Sequence, residues 1–337
     1  MSHGMKHPSS PARIRLDGLD ALRGLCALAV VLGHVELPEL GMGALGKLLR
    51  LGFHVVSNGP AAVVVFFVVS GLCIHLPQAG GRGLHIPTFY LRRAVRIGLP
   101  MAAGFALAWS TGALSEFRGI LWSLIAEVIY YLIYPALLWA AKRFGWKWVL
   151  GASAVGALAL LGSDPKAVEY PHFGWSLTWV LGLPIWILGC MLAESLHKPR
   201  QTGAARTWLM RGAILAASAV AVVARWQLGS HSIGFPWTLS VFGVVAWLWL
   251  EQELVYFRSH PPAKWLDTIG AASYSLYLSH VAVLHLCWVL WGETRLTSLG
   301  FRLAMMVLAV LGGGIFYLAV ELPSHRLAKA LDLKKHR

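Results

Sequence analysis

VVSNGPAAVVVFFVVSGLCIHL, residues 55–76, runs for 22 positions without an Asp, Glu, Lys or Arg. As a helix rising 1.5 Å per residue it would be about 33 Å long, enough to cross a hydrocarbon core of about 30 Å. Comparable runs recur on both sides of it. Ten can be counted, at approximately 19–37, 55–76, 97–113, 119–141, 148–162, 175–193, 212–228, 234–250, 269–291 and 301–320. The chain therefore reads as an all-α polytopic membrane protein with about ten transmembrane helices.

Composition agrees. Hydrophobic residues make up 57% of the 337 positions and charged residues 13%, against roughly 45–50% and 25% in soluble domains. Ten spans of about 20 residues leave only about 12 for each connection and tail, which excludes a soluble catalytic domain. The expected organisation is an N-terminal tail over 1–18, one ten-helix membrane domain over 19–320 and a basic C-terminal tail over 321–337. The first 15 residues are polar and basic, and no small-residue cleavage site follows the first apolar run, so that helix is expected to be retained. The cysteines, Cys26, Cys73, Cys190 and Cys287, fall inside predicted spans without metal-ligand spacing and read as small buried hydrophobes; no metal is expected.

Basic residues set the orientation. With the N-terminus inside, 22 of the 29 Lys and Arg fall on inner segments, which places both termini in the cytoplasm. The exceptions are Lys47, Arg50, Arg118, Lys166, Arg225, Arg295 and Arg302. A net charge of +14 would suggest nucleic acid in a soluble chain, but here the charge is spread over every inner loop, so no nucleic-acid partner is expected. The dense Arg92-Arg93-Ala94-Val95-Arg96 cluster has two readings. It is either a stop signal facing anionic lipid or a clamp for a phosphate-bearing ligand, since arginine forks match phosphate oxygens.

Ionisable groups inside a bilayer are costly and mark function. Arg23 and His34 are eleven positions apart, about 16 Å of rise and close to three full turns, so they share one helix face. Glu127 and His280 are predicted at a depth similar to that of His34. One carboxylate and two imidazoles at one level form a candidate proton-transfer set, with Glu127 holding a histidine tautomer. Trp122, Ser123, Tyr277, Ser279 and Asn58 lie nearby. Ser70-Gly71 reads as a close helix-packing position, because no nucleophile elbow surrounds it. The same residue types suit a proton-coupled transporter of an anionic solute, although no internal repeat with paired interrupted helices is present. A flippase or glycan-assembly scaffold without chemistry of its own is a third reading.

Beyond these readings, six blocks in order resemble the membrane acyltransferase-3 family. Leu19-Asp20-Ala21-Leu22-Arg23-Gly24-Leu25, with ten residues between Arg23 and His34, resembles its Arg-x10-His signature. Phe66-Phe67-Val68-Val69-Ser70-Gly71 resembles its FFVLSG block, and Phe89-Tyr90-Leu91-Arg92-Arg93-Ala94-Val95-Arg96 its RRxxR block. Trp122-Ser123-Leu124-Ile125-Ala126-Glu127 with Tyr130-Tyr131 resembles WSLxxE and an aromatic pair. Ser273-Tyr274-Ser275-Leu276-Tyr277-Leu278 with His280, and Val320-Glu321-Leu322-Pro323, resemble the last two blocks. Val64 and Val128 depart from acidic or polar positions common in the family.

The resemblance implies an integral membrane enzyme moving an acyl group, most often acetyl, from acetyl-CoA or another acyl-CoA to a hydroxyl. Acceptors of the family are sugars of surface glycans, lipopolysaccharide, exopolysaccharide or glycosylated metabolites. It implies His34 at the transfer centre, helped by Glu127, and Arg23, Arg92, Arg93 and Arg96 toward the donor. Trp122, Ser123, Tyr277 and His280 are candidates for positioning the acceptor. The partners implied are the bilayer, the acyl-CoA donor, a glycan or lipid-linked saccharide acceptor and glycan-assembly proteins, in a bacterial inner membrane.

Overall fold

The computed structural model describes residues 16–35, 43–167, 169–197, 201–227, 235–292 and 298–333. Basic residues used above to orient the chain, namely Lys6, Arg13, Arg15, Lys198, Arg200, Arg295, Lys334, Lys335 and Arg337, lie outside the described residues. Every regular element described is helical. The chain opens with α1 (Leu19–Val35), α2 (Gly43–Val56), α3 (Gly59–Ala79), α4 (Ile86–Arg93) and α5 (Leu99–Thr111). The middle holds α6 (Leu114–Phe144), α7 (Trp146–Ser163), α8 (Gly174–Leu196) and α9 (Ala204–Gln227). It closes with α10 (Phe235–Phe257), α11 (Lys264–Ala271), α12 (Ser273–Trp291), α13 (Leu299–Phe316) and α14 (Leu322–Leu333).

Eight helical stretches among the described residues are long and apolar enough to cross a membrane. The protein is an all-α polytopic membrane protein. Of the other two expected spans, 97–113 is shorter, folding as the 13-residue α5, and 19–37 is described as far as Val35, the end of the 17-residue α1, its last two positions lying outside the described residues.

Burial follows the pattern of apolar residues. α3 is apolar on all sides and sits at the centre, as such a helix must, with Val64, Val68 and Leu72 fully buried. Asn58 caps its start by accepting from the Ala61 N–H at 3.2 Å, followed by Pro60 in the first turn, where a missing N–H costs nothing. α3 lies against α8 with backbones almost touching: a Cβ on Gly71 would stand 2.0 Å from the Trp186 carbonyl, and one on Gly189 2.0 Å from that of Val68. The close-packing role expected of Ser70-Gly71 is thus what the bundle uses. α1 meets α11 the same way, through Gly24 and Gly270.

Two helices widen into π turns, over Ala94–Gly98 and Tyr317–Glu321. Each precedes a proline, Pro100 or Pro323. A proline has no N–H for the carbonyl four residues back, which is that of Arg96 or Ala319, and its ring crowds that carbonyl, so the ladder loosens there. The two π turns carry Arg96 and Glu321 and pack near each other around α14. The tail expected from residue 321 is therefore part of the bundle as far as Leu333: α14 packs on α4 and on the first π turn, with Ser324 and Ala328 buried.

Candidate active site

A chamber of about 1170 Å³ opens among α1, α3, α4, α6, α12 and the second π turn. It is larger than the roughly 300–1000 Å³ of ordinary small-molecule pockets. Arg23, Arg92, Arg93, Arg96, Ser123, Glu127 and Tyr277 all line it, so seven of the ten expected site residues meet in one place. Arg23 pairs with Asp20 at 3.1 Å. Arg93 stacks between aromatic faces, its guanidinium carbon 5.4 Å from the Tyr131 ring centre and 5.9 Å from that of Phe89. Arg23 and Arg93 share the chamber with Arg96 as charges of like sign, an arrangement that a bound polyanion would relieve.

The wall opposite is a stripe on α6. Ser123, Glu127 and Tyr131 follow at intervals of four, hence on one face. Tyr131 donates a short hydrogen bond to Glu127, and its oxygen lies 3.1 Å from the Ser70 hydroxyl, which also accepts from the Trp186 indole N–H at 3.1 Å. Deeper in, the Tyr277 hydroxyl is 2.7 Å from the Ser123 hydroxyl and donates to the Ile120 carbonyl at 3.2 Å. Glu321 faces the same chamber, fully buried. Its Oε2 accepts from the Ser275 N–H at 3.0 Å and hydroxyl at 2.5 Å, and its Oε1 lies 3.4 Å from His325 Nε2.

His34 stands elsewhere. It is exposed to a second, smaller cavity of about 420 Å³, together with Glu116, His285, Trp288 and Arg302. α1, α6 and α12 each line the chamber with one half and this cavity with the other. Arg23 and His34 divide α1, Tyr277 and His285 divide α12, and Glu127 and Glu116 divide α6, which runs the opposite way. The two cavities therefore lie at different depths of the same three helices. Glu116 and His285 are paired at 3.0 Å, and Arg302 donates a short hydrogen bond to the Val35 carbonyl.

Between the cavities is a line of rings. Tyr277 lines the chamber and lies 5.9 Å from His280, whose ring meets that of His34 edge to face at 4.8 Å. His34 Nδ1 is 2.9 Å from the Val30 carbonyl, and His280 Nδ1 is 2.8 Å from the Tyr277 carbonyl. A carbonyl only accepts, so both Nδ1 atoms carry hydrogen and each neutral ring presents Nε2 as its basic nitrogen. His280 is fully buried, and its Nε2 has no hydrogen-bond partner among the described residues.

Three expectations change. Glu127 does not hold a histidine tautomer: its partner is Tyr131, and main-chain carbonyls set both histidines. Arg23 and His34, expected on one helix face, open into different cavities, because Ala27, Val30 and Val31 between them are buried against neighbouring helices. Trp122 lines neither cavity and packs between Phe67 and Tyr170, at 6.1 and 5.8 Å. Asn58 serves as a helix cap that also donates to the Ser218 hydroxyl at 3.2 Å. The cysteines are free thiols, three of them buried, while Cys73 is half-buried and lines the chamber.

Residues 16–318 match the family described as "Acyltransferase domain". The chain belongs to the acyltransferase-3 family. Comparison with curated proteins and with solved structures finds no match. Family membership favours one of the three readings left open by the residue types: the protein is a multi-pass membrane acyltransferase. Several residues of this acyltransferase escape a reading of the sequence for isolated polar groups. Tyr131, Glu321 and His325 join the chamber, and Glu116, His285 and Arg302 join His34. For Glu321 the signal was its place two residues before a proline. Tyr131 and His325 carry a local signal, each four residues after a carboxylate on the same helical stretch, whereas Glu116, His285 and Arg302 depend on helix register across distant segments, which a single sequence does not display.

Proposed function

We propose that this acyltransferase moves an acyl group, acetyl in the simplest case, from a cytoplasmic coenzyme A thioester to a hydroxyl of a saccharide. The saccharide belongs to a surface glycan, lipopolysaccharide, exopolysaccharide or glycosylated metabolite, met free or lipid-linked. The enzyme sits in a bacterial inner membrane with both termini in the cytoplasm, beside glycan-assembly proteins. The observation that carries this reading is the pairing of an arginine-lined chamber with a second cavity that holds a histidine whose Nε2 is free to act as base, separated by two rings.

The donor's phosphates belong on Arg23, Arg92, Arg93 and Arg96, because a polyanion entering a poorly solvated mouth needs paired cations. Its arm then points inward past the Ser123 and Tyr277 hydroxyls, toward a His34 that lies about 16 Å of helix rise beyond Arg23. The acceptor hydroxyl approaches from the smaller cavity. His34 Nε2 takes the hydroxyl proton as the oxygen attacks the thioester carbonyl; the carbon–sulfur bond then breaks and the proton passes to the departing thiolate. In the alternative route His34 Nε2 attacks the carbonyl itself, the carbon–sulfur bond breaks and coenzyme A leaves as its thiol with the proton shed by the imidazole, and the acceptor hydroxyl then attacks the acyl-imidazole, giving the ester and returning its proton to the ring. Acyl transfer takes place at the level of Tyr277 and His280, which makes these two positioning residues.

The test is thiol release from acetyl-CoA by purified protein in detergent, with and without a saccharide extract of the source organism's envelope. Protein-dependent release stimulated by the extract is the expected result. Folded protein that releases no thiol with any extract would overturn the donor assignment. Acyl-His34 trapped with donor alone selects the second route.

A further inference from the structure

The carboxylate-held histidine expected at Glu127 exists in this protein at another place. Glu116 lies in the first turn of α6, where the positive end of the helix meets its charge, and the Ser115 hydroxyl donates to its Oε2 at 2.7 Å. Its Oε1 is left for His285 Nδ1 on α12, 3.0 Å away. A carboxylate only accepts, so Nδ1 carries the hydrogen and the neutral ring presents Nε2 as its basic nitrogen. Among the described residues the His285 ring makes no other hydrogen bond, and its side chain is 16% exposed.

His285 and His34 line the same cavity of about 420 Å³. His280, whose ring meets that of His34, stands five residues before His285, about 7.5 Å of helix rise. That spacing brings both working rings within reach of one acceptor hydroxyl, directly or through a single water. The two histidines differ in what holds them: His34 Nδ1 faces the Val30 carbonyl and His285 Nδ1 a carboxylate. A proton gained at Nε2 leaves a full positive charge on the ring, which a carboxylate stabilises far more than a neutral carbonyl does. The acyl-imidazole route needs such a base. Once His34 Nε2 carries the acyl group it takes no proton, and His280 lines neither cavity.

We propose that Glu116 and His285 form the second base of this enzyme, activating the acceptor after His34 has been acylated, with His285 as a catalytic residue and Glu116 positioning it. The assignment rests on the acyl-transfer reading above and selects its second route. As the acceptor oxygen attacks the acyl carbon, its proton goes to His285 Nε2, and the resulting imidazolium faces Glu116. The acyl carbon–nitrogen bond then breaks, its electron pair stays with His34, and His285 returns the proton to that ring. The ester leaves with both rings neutral.

A pulse and chase on the full-length protein in detergent tests this. Acetyl-CoA labelled in its acetyl group loads the protein, and loss of label is followed after adding either the envelope saccharide extract or hydroxylamine, an amine that attacks an acyl-imidazole without first giving up a proton. His285→Ala should load normally and lose label to the extract about 10²–10⁴-fold more slowly, the contribution of a general base, yet lose it to hydroxylamine at the unaltered rate. Glu116→Gln, which keeps the size of the side chain and an acceptor oxygen, should slow only the extract step, by about 10–100-fold, as loss of the outer partner of a working histidine does. Normal loss of label to the extract in both variants would overturn the proposal, and so would equal slowing of loading and chase, which would make the pair structural. Unaltered protein that turns over with the extract but never carries label would overturn it in favour of direct transfer. Unaltered protein that releases no thiol at all would overturn the acyl-transfer reading itself, and the pair with it.

Discussion

The two cavities share α1, α6 and α12 and differ in nearly everything else. The larger one gathers five arginines, Arg82 among them, and two buried or half-buried carboxylates, with aromatic rings and hydroxyls around Arg93, Glu127 and Glu321. The smaller one presents a single exposed imidazole with a free Nε2, next to one ion pair. On the proposed function, one cavity binds the charged donor and the other moves a proton. The difference then teaches that recognition and chemistry are separate jobs at separate depths, so a substitution in one cavity should move one kinetic constant and spare the other.

His34→Ala should break the comparison most severely. General base catalysis contributes about 10²–10⁴-fold, so kcat for acyl transfer should fall by roughly that factor while the thermal midpoint holds; a turnover near normal would mean that the proton is taken elsewhere. Replacing Arg93 and Arg96 together by Ala comes next. Hydrogen bonds to charged groups contribute about 1.5–3 kcal/mol each, so the KM for acetyl-CoA should rise about 100-fold, with kcat changed only a few-fold in saturating donor. A loss confined to kcat would place the donor outside the chamber.

Tyr131→Phe sharpens the picture on the chamber side. It strips Glu127 of the hydroxyl it accepts from and Ser70 of its neighbour, and leaving such partners unsatisfied costs about 1–3 kcal/mol. The denaturation midpoint in detergent should drop accordingly, and an unchanged midpoint would show that water replaces the hydroxyl. The smallest effect is expected at Trp122→Phe. Its ring packs between Phe67 and Tyr170 away from both cavities, so kcat and both KM values should stay within about threefold, the cost falling on stability at up to about 1.5 kcal/mol; a selective rise in acceptor KM would return Trp122 to the site.

Much of this was legible before any coordinates. The apolar runs announced the helices, because a bilayer admits almost nothing else, and Arg92, Arg93 and Arg96 stood out because charge so close to a span is expensive. Residue spacing on α1 put Arg23 and His34 on one helix face, yet they line different cavities. It said nothing of Ala27, Val30 and Val31 being buried between them, since burial depends on which neighbours pack there. Glu127 was singled out as the partner of a histidine at the depth of His34, whereas it lines the arginine chamber and its partner lies on its own helix, four residues on, where a tyrosine satisfies it. The tail after residue 321 read as polar and basic, and its docking through Ser324 and Ala328 is invisible without the π turn that precedes Pro323.

The separation of binding from chemistry is tested most directly by titrating coenzyme A into His34→Ala and into the Arg93→Ala, Arg96→Ala double variant, by calorimetry in the same detergent. The His34 variant should bind within about twofold of the unaltered protein, while the double variant should bind about 100-fold more weakly, as two lost charge-assisted hydrogen bonds require. Normal affinity in the double variant, or lost affinity in a folded His34→Ala protein, would contradict the division of labour between the two cavities.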